Sequence, residues 1–307
     1  MTTTALGGSA RRRSRKRVTL VVRNSLLGWS FLLPNFLGFA VLTLVPVGAL
    51  FYISFTDWNV FGKAHWIGLH NFRRLLHDDS FRTAFENTLY YTVFHVPLTL
   101  AASLGLALLL NRKLRGVGFF RTAAFFPYIT SIVAIAVVWN MMLSPDKGPV
   151  NHLLNVIGIS HPPGWSTSAT WSMPTVIIVG TWREMGYFML LFLAGLQTVP
   201  PEVHDAARVD GANAWQRFRN VTLPYLRPTT FFVVVILTIW SLKVFDVILV
   251  MTNGGPGEST LVLSQYIYKT GFQNREFGYA SAVSVALFFI CILVTAVQFA
   301  VNRRRNR

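Results

Sequence analysis

Four charged residues sit inside stretches that are otherwise apolar: Arg183 and Glu184 in Trp171–Leu196, and Lys243 and Asp246 in Thr229–Thr252. A charge in a hydrocarbon core costs about 2.5–3.5 kcal/mol on insertion scales, so such residues line a cavity or hold a partner. Counted at about 1.5 Å per residue from Pro174 and from Thr252, both clusters lie roughly 14 Å below one surface, with Asp246 a turn higher. As one continuous helix, Thr229–Thr252 sets Lys243 and Asp246 on a shared face, and Trp240 extends that stripe by a turn. Glu184 and Tyr187 share a face in the other stretch, with Arg183 also one turn from Tyr187. Charged and aromatic groups together suit a sugar, whose hydroxyls bond to charges while its C–H face lies on rings. Arg183, Glu184, Tyr187, Trp240, Lys243 and Asp246 are therefore candidates to border a solute pathway. A second reading, equally open, has the four charges pair between helices and touch no solute.

A second constellation reads DAARVDGANAWQRFRNVTLP, from Asp205 to Pro224. Its composition predicts two short helices, Asp205–Val209 and Ala214–Val221, hinged at Gly211 and stopped by Pro224. Such a pair is a docking element. Ala206, Ala207 and Ala212 allow close approach, Asp205 and Asp210 can accept charge-assisted hydrogen bonds, and Arg208 can donate them. Other chemistry is weak. His65, His70 and His77 lack acidic or Cys companions at metal-ligand spacing, so no metal site is expected. His95 with Pro97 reads as a kink with a satisfied imidazole, and residues 253–257 read as a turn. No catalytic nucleophile or carboxylate pair is expected, and no G-x-x-x-x-G-K-[ST] loop is present, so any ATP is bound elsewhere.

The elements that carry these residues follow from composition. Hydrophobic residues make up 52% of the chain and charged ones 13%, about half the charged share of a soluble domain. Runs without Asp, Glu, Lys or Arg extend over Asn24–Thr56, Asn87–Asn111, Thr122–Pro145 and Phe277–Asn302, each long enough for the roughly 20 residues that cross a bilayer. With the two charge-bearing stretches, six spans result. The net charge of +16 could suggest nucleic acid, but its placement argues otherwise. Met1–Arg23, Asn111–Arg121, Gln197–Arg227 and Val301–Arg307 fall on one side and hold 19 of the 28 Lys and Arg. The positive-inside rule makes that side cytoplasmic, with both termini and the docking loop. The basic run before the first span lacks a cleavage site behind it and reads as an uncleaved span. The sole cysteine, Cys291, excludes an intramolecular disulfide. The expected organisation is a disordered basic tail over residues 1–23, a six-helix body over 24–302 with the coupling loop at 197–227, and a basic C-terminus at 303–307.

The loop resembles the EAA loop of permease subunits in binding-protein-dependent ABC importers, through Ala206, Ala207, Asp210, Gly211, Ala212, Phe218, Leu223 and Pro224. Asp205 stands where the family usually has Glu, one methylene shorter. LLPNFLGF and SFTDW within Leu32–Trp58, FFPYIT at Phe125–Thr130, LAGLQTVP at Leu193–Pro200, FDVILVMTNGGPGEST at Phe245–Thr260 and FGYASAVS at Phe277–Ser284 narrow the resemblance to carbohydrate-importing permeases similar to the maltose and glycerol-phosphate types. The resemblance implies an all-α integral membrane protein with the type I importer permease fold and cytoplasmic coupling helices, in a bacterial-type cytoplasmic membrane. It implies a second permease subunit, two ATPase subunits that carry ATP and Mg, an external solute-binding protein, and transport of a sugar, oligosaccharide or related polyol or sugar phosphate by alternating access. An ion-gradient-driven secondary transporter is the alternative, and it leaves the coupling loop unexplained.

Overall fold

The computed structural model describes Trp29, residues 31–112 and residues 115–305; the basic tail expected over residues 1–23 lies outside them. The chain forms two compact units divided after Ile53. In the first, α1 (Phe31–Ser54) is a 24-residue apolar helix with none of its apolar window buried. Just before Pro46 the helix widens into a π turn over Ala40–Leu44, a geometry that tolerates the missing proline N–H.

The second unit is built around α3 (Asp79–Leu110) and α7 (Ser172–Gln197). Along α3 the buried positions are Ala84, Thr88, Tyr91, His95, Thr99, Ser103 and Ala107, a single stripe at helical spacing made mostly of small or hydroxyl side chains. Membrane helices associate through such stripes, because lipid gives no hydrophobic drive between them and close packing must do the work. The opposite face is apolar and exposed, with Val93, Phe94 and Leu109 on it. Against α7 lies α4 (Val117–Ile129), so close at Gly186 that an added Cβ would stand 1.9 Å from the Ala124 carbonyl oxygen. The core between them is apolar, with Phe188, Met189 and Phe192 fully buried. The last span, α13 (Phe277–Arg305), carries the first residues of the basic C-terminus as helix.

Two expected spans are broken. In the third, α4 meets α5 (Ile132–Met142) at 98°, where Thr130 is extended at φ −77° and ψ 150°, and the short α6 (Pro149–Val156) follows. In the fifth, α10 (Arg227–Leu242) ends at Lys243, and α11 (Asp246–Met251) starts after Phe245, at φ −145° and ψ −61°. The shared helix face that the spacing predicted for Lys243 and Asp246 is therefore absent. With α4 and α5 taken as one bent span, and α10 and the helix before it, Ala214–Tyr225, as another, the described residues contain up to six spans, four of them uninterrupted helices.

At the end of the bundle away from the docking loop, α2 (His70–Leu75) and α12 (Leu263–Tyr268) close over α3 and α13. Asp78 caps α3 by accepting from the Ser80 amide at 3.0 Å and the Phe81 amide at 3.1 Å. The hydroxyls of Tyr266 and Tyr279 donate to its other carboxylate oxygen. Arg74 pairs with Glu276 at 2.6 Å and lies 4.0 Å over the Tyr279 ring.

Candidate functional site

A cavity of about 380 Å³ opens between α3, α7 and the break after α10, lined among others by Tyr91, His95, Tyr128, Arg183, Glu184 and Trp240. The break places both Lys243 and Asp246 on its wall: with the helix unwound at residues 243–245, the two side chains reach one space from separate elements. Of the six predicted pathway residues, Tyr187 alone does not line the cavity directly. It stands behind the wall, its ring 4.6 Å from Tyr128 and 5.4 Å from Trp240. Tyr128 and Trp240 are nearly parallel, at an interplanar angle of 5° and a centroid distance of 6.2 Å. The Arg183 guanidinium lies 5.5 Å over the Tyr128 ring, a cation–π arrangement that favours a charge here.

The charges are unevenly partnered. Glu184 Oε1 is 3.9 Å from Arg183 Nη1, and its Oε2 is 3.7 Å from His95 Nε2. Both separations exceed hydrogen-bond length, and Glu184 Oε2 and Arg183 Nε are buried without a hydrogen-bond partner. Lys243 and Asp246 are exposed to the cavity and make no ion pair among the described residues. Glu184 and Lys243 are likewise not paired, so the exchange partner that the pairing reading would choose is not in contact.

Sequence reasoning missed three residues here. His95 is more than a kink marker. Its Nδ1 is 3.0 Å from Ser241 Oγ, its Nε2 is 3.2 Å from Thr99 Oγ1, and Thr99 Oγ1 is 3.0 Å from Thr181 Oγ1, a chain that ties α3 to α10 and α7. Tyr91 stacks on its imidazole at 4.7 Å. Tyr128 lies in the FFPYIT segment, where only its aromatic character was visible. The period of the α3 stripe was the one signal for His95 and Tyr91.

The docking loop is two helices with a glycine between them, at boundaries that differ from the expectation. The first, α8 (Pro201–Val209), starts four residues before Asp205 because Pro201 is suited to a first helical turn. Gly211 has φ +77° with open space around it, the left-handed conformation that glycine adopts without strain. Next, α9 (Ala214–Tyr225) begins with a capping box between Asn213 and Gln216. Contrary to the expectation that Pro224 stops the second helix, α9 runs through it. A π turn over Phe218–Thr222 precedes it, the helix runs on to Tyr225, and the chain bends by 68° into α10.

Asp205, Ala206, Arg208, Asp210 and Gly211 are exposed, while Ala207, Ala212, Phe218, Leu223 and Pro224 are half-buried. Arg208 Nη1 is 3.0 Å from Asp205 Oδ1. Two further residues project from the loop: Val209 is 88% exposed and Trp215 65%, the latter 5.5 Å from the Phe218 ring. Both are large apolar side chains on an otherwise polar loop.

The family model for the binding-protein-dependent transport system inner membrane component matches residues 98–307. The lactose transport system permease protein LacF of Rhizobium radiobacter is 37% identical over 285 residues, which is 91% of this chain and 95% of that protein. The trehalose/maltose transport system permease protein MalF of Thermococcus litoralis is 31% identical, over 94% of this chain and 97% of its own. A crystal structure of a bacterial alginate ABC transporter, in complex with an alginate pentasaccharide-bound periplasmic protein, contains a chain that superposes with a TM-score of 0.83. It is 26% identical, covering 95% of this chain and 99% of the other.

Proposed function

The chain belongs to the family of binding-protein-dependent transport system inner membrane components, and on that premise we propose that it is one of two permease halves of an ATP-driven importer for a sugar, oligosaccharide or related polyol or sugar phosphate. The carbohydrate-import ABC permease class is established by the family and by its sugar-permease relatives. The observation that carries the finer reading is the cavity at the α10 break, where an aromatic stack of Tyr128, Tyr187 and Trp240 adjoins the unpaired Lys243, Asp246 and Glu184 Oε2. Sugar C–H faces fit the rings, and hydroxyls fit charges that nothing else satisfies.

In this reading the basic side, with the docking loop, is cytoplasmic. Asp205, Arg208, Asp210 and the Gly211 turn seat on an ATPase subunit, with Ala206, Ala207 and Ala212 permitting close approach and Phe218, Leu223 and Pro224 anchoring α9 to the bundle. ATP with Mg on the two ATPase subunits supplies the drive. The movement reaches the cavity through α9 and the bend into α10, whose far end is the break that bears Lys243. A second, similar permease completes the pathway and an external binding protein delivers the solute. Nothing in the site or the comparisons favours the gradient-driven alternative.

The test is the ATPase activity of the complex purified through a tag on this chain and reconstituted with candidate binding proteins and their sugars. Hydrolysis that rises only with a loaded binding protein supports the reading and identifies the solute. A chain that purifies folded and alone, with no associated ATPase, overturns it.

A further inference from the structure

A second cavity, about 710 Å³ and remote from the α10 break, lies where the start of α10 and the end of α13 diverge. Its two ends differ in chemistry. Arg219 on α9, Arg227 at the start of α10 and Asn302 near the end of α13 line it at the end of the docking loop, together with Leu223 and Pro224. Both arginines are exposed and, among the described residues, neither makes an ion pair; no acidic residue lines the groove. From there the walls turn apolar, with Phe231 and Val234 on α10 and Val297 and Val301 on α13. The groove stays open because α9 turns away from α10 by 68°, while Gln298 Nε2 donates to Thr238 Oγ1 at 2.8 Å and ties the two helices deeper in.

Cations at one end of an apolar trough between two membrane helices match one kind of molecule. From Arg227 to Val234 is roughly 10 Å along the helix, about the reach from a lipid phosphate past the glycerol to the upper acyl chain. We propose that this groove binds one anionic phospholipid from the leaflet at this end of the bundle. Its phosphate accepts forked hydrogen bonds from Arg219 and Arg227, the Asn302 amide is placed to donate to an ester carbonyl, and an acyl chain lies along Val234, Val297 and Val301. A free phosphate would need the arginines and leave the apolar walls bare, and a packed helix would cover the walls and leave the arginines without a counter-charge. Because the lipid holds the start of α10 to the end of α13, it bears on the segment next to the docking loop.

Native mass spectrometry of the chain, with whatever subunits copurify, tests this after reconstitution into vesicles of mixed phosphatidylglycerol and phosphatidylethanolamine and extraction in mild detergent. The wild type should retain phosphatidylglycerol preferentially. Arg219→Gln and Arg227→Gln should each weaken that preference about fivefold. Val297→Trp, which fills the trough and spares both arginines, should abolish it, whereas Arg303→Gln, outside the groove lining, should leave it intact. No headgroup preference in the wild type would overturn the proposal, as would a preference that survives Val297→Trp, since that would be ordinary surface attraction. Cross-linking of the Val301→Cys variant to a second permease would also overturn it, by identifying a helix as the occupant. Lipid retention requires no transport, so its failure is distinct from failure of the importer reading.

Discussion

Glu184→Gln separates the two roles open to the intramembrane charges. Glu184 is 3.9 Å from Arg183 and 3.7 Å from His95, too far for either contact to be a hydrogen bond. Contacts this long between side chains only 15% and 24% exposed, for Glu184 and Arg183, lack the hydrogen-bonded geometry that a buried pair needs to offset its desolvation. A sugar hydroxyl that donates to the unpartnered Oε2 would instead form a charge-assisted bond of about 1.5–3 kcal/mol. Glutamine keeps the shape and removes the charge, so most of that bond is lost when the solute moves from its binding protein into the cavity. At about 1.4 kcal/mol per decade, the maximal uptake rate should fall roughly 10- to 100-fold. The unfolding temperature of the same complex should move by a few degrees at most, because so little stability rests on the pair. The assay is initial uptake into vesicles at saturating binding protein, beside thermal unfolding of the detergent-purified complex. Uptake within twofold of wild type, together with a large drop in unfolding temperature, would refute the reasoning and assign these charges to holding the bundle.

Exchanging the partners in the double variant Glu184→Lys with Lys243→Glu should not restore uptake lost in the single variants, since the two side chains are not paired; recovery would revive the ion-pair reading. Gly211→Pro should leave the chain inserted but abolish transport, because proline fixes φ near −65° where the turn has +77°, and undiminished uptake would remove the docking claim. Trp215→Ala should reduce ATPase retention during purification by more than tenfold, as loss of an aromatic anchor of about 2 kcal/mol implies, with unfolding of the chain unchanged; full retention would exclude Trp215 from the interface. Burial pushes the Asp78 carboxyl up, but hydrogen bonds from Tyr266, Tyr279 and the amides of Phe81 and Ser80 outweigh it and hold the group below its ordinary value. The same contact, added to burial, pushes the Tyr266 hydroxyl up to about 12. A carboxyl lowered on folding stabilises fully above its unfolded value of about 3.9 and loses that contribution as pH falls through its folded value. The unfolding temperature should therefore drop below about pH 4 in the wild type and less so in Asp78→Asn; identical acid profiles would count against the Asp78 tie.

How far the sequence reached depended on whether a feature was local. Span positions came from hydropathy, because a stretch such as Asn87–Asn111 without charges has few alternatives to a membrane helix. Gly211 was legible because the hinge is set by its own backbone. The breaks were not. The run through Lys243 has no proline or glycine to mark a stop, and the helix ends there because α11 packs Val247, Ile248 and Met251 into a core with Tyr91, Ile135 and Val176 from distant segments. That error shaped the site: a continuous helix would align Lys243 with Asp246 as a stripe, whereas the break lets both reach a cavity and leaves each without an ionic partner. Pro224 was misread for a related reason, since a π turn ending two residues earlier, at Thr222, supplies the slack that a proline inside a helix otherwise lacks. His95 shows the limit most clearly. Its neighbours in sequence say only that it lies on the α3 stripe, and its nearness to Ser241 and Glu184 exists only once three helices are packed. The charges that looked most suited to pairing thus stand apart, and the proposed solute pathway rests on that separation.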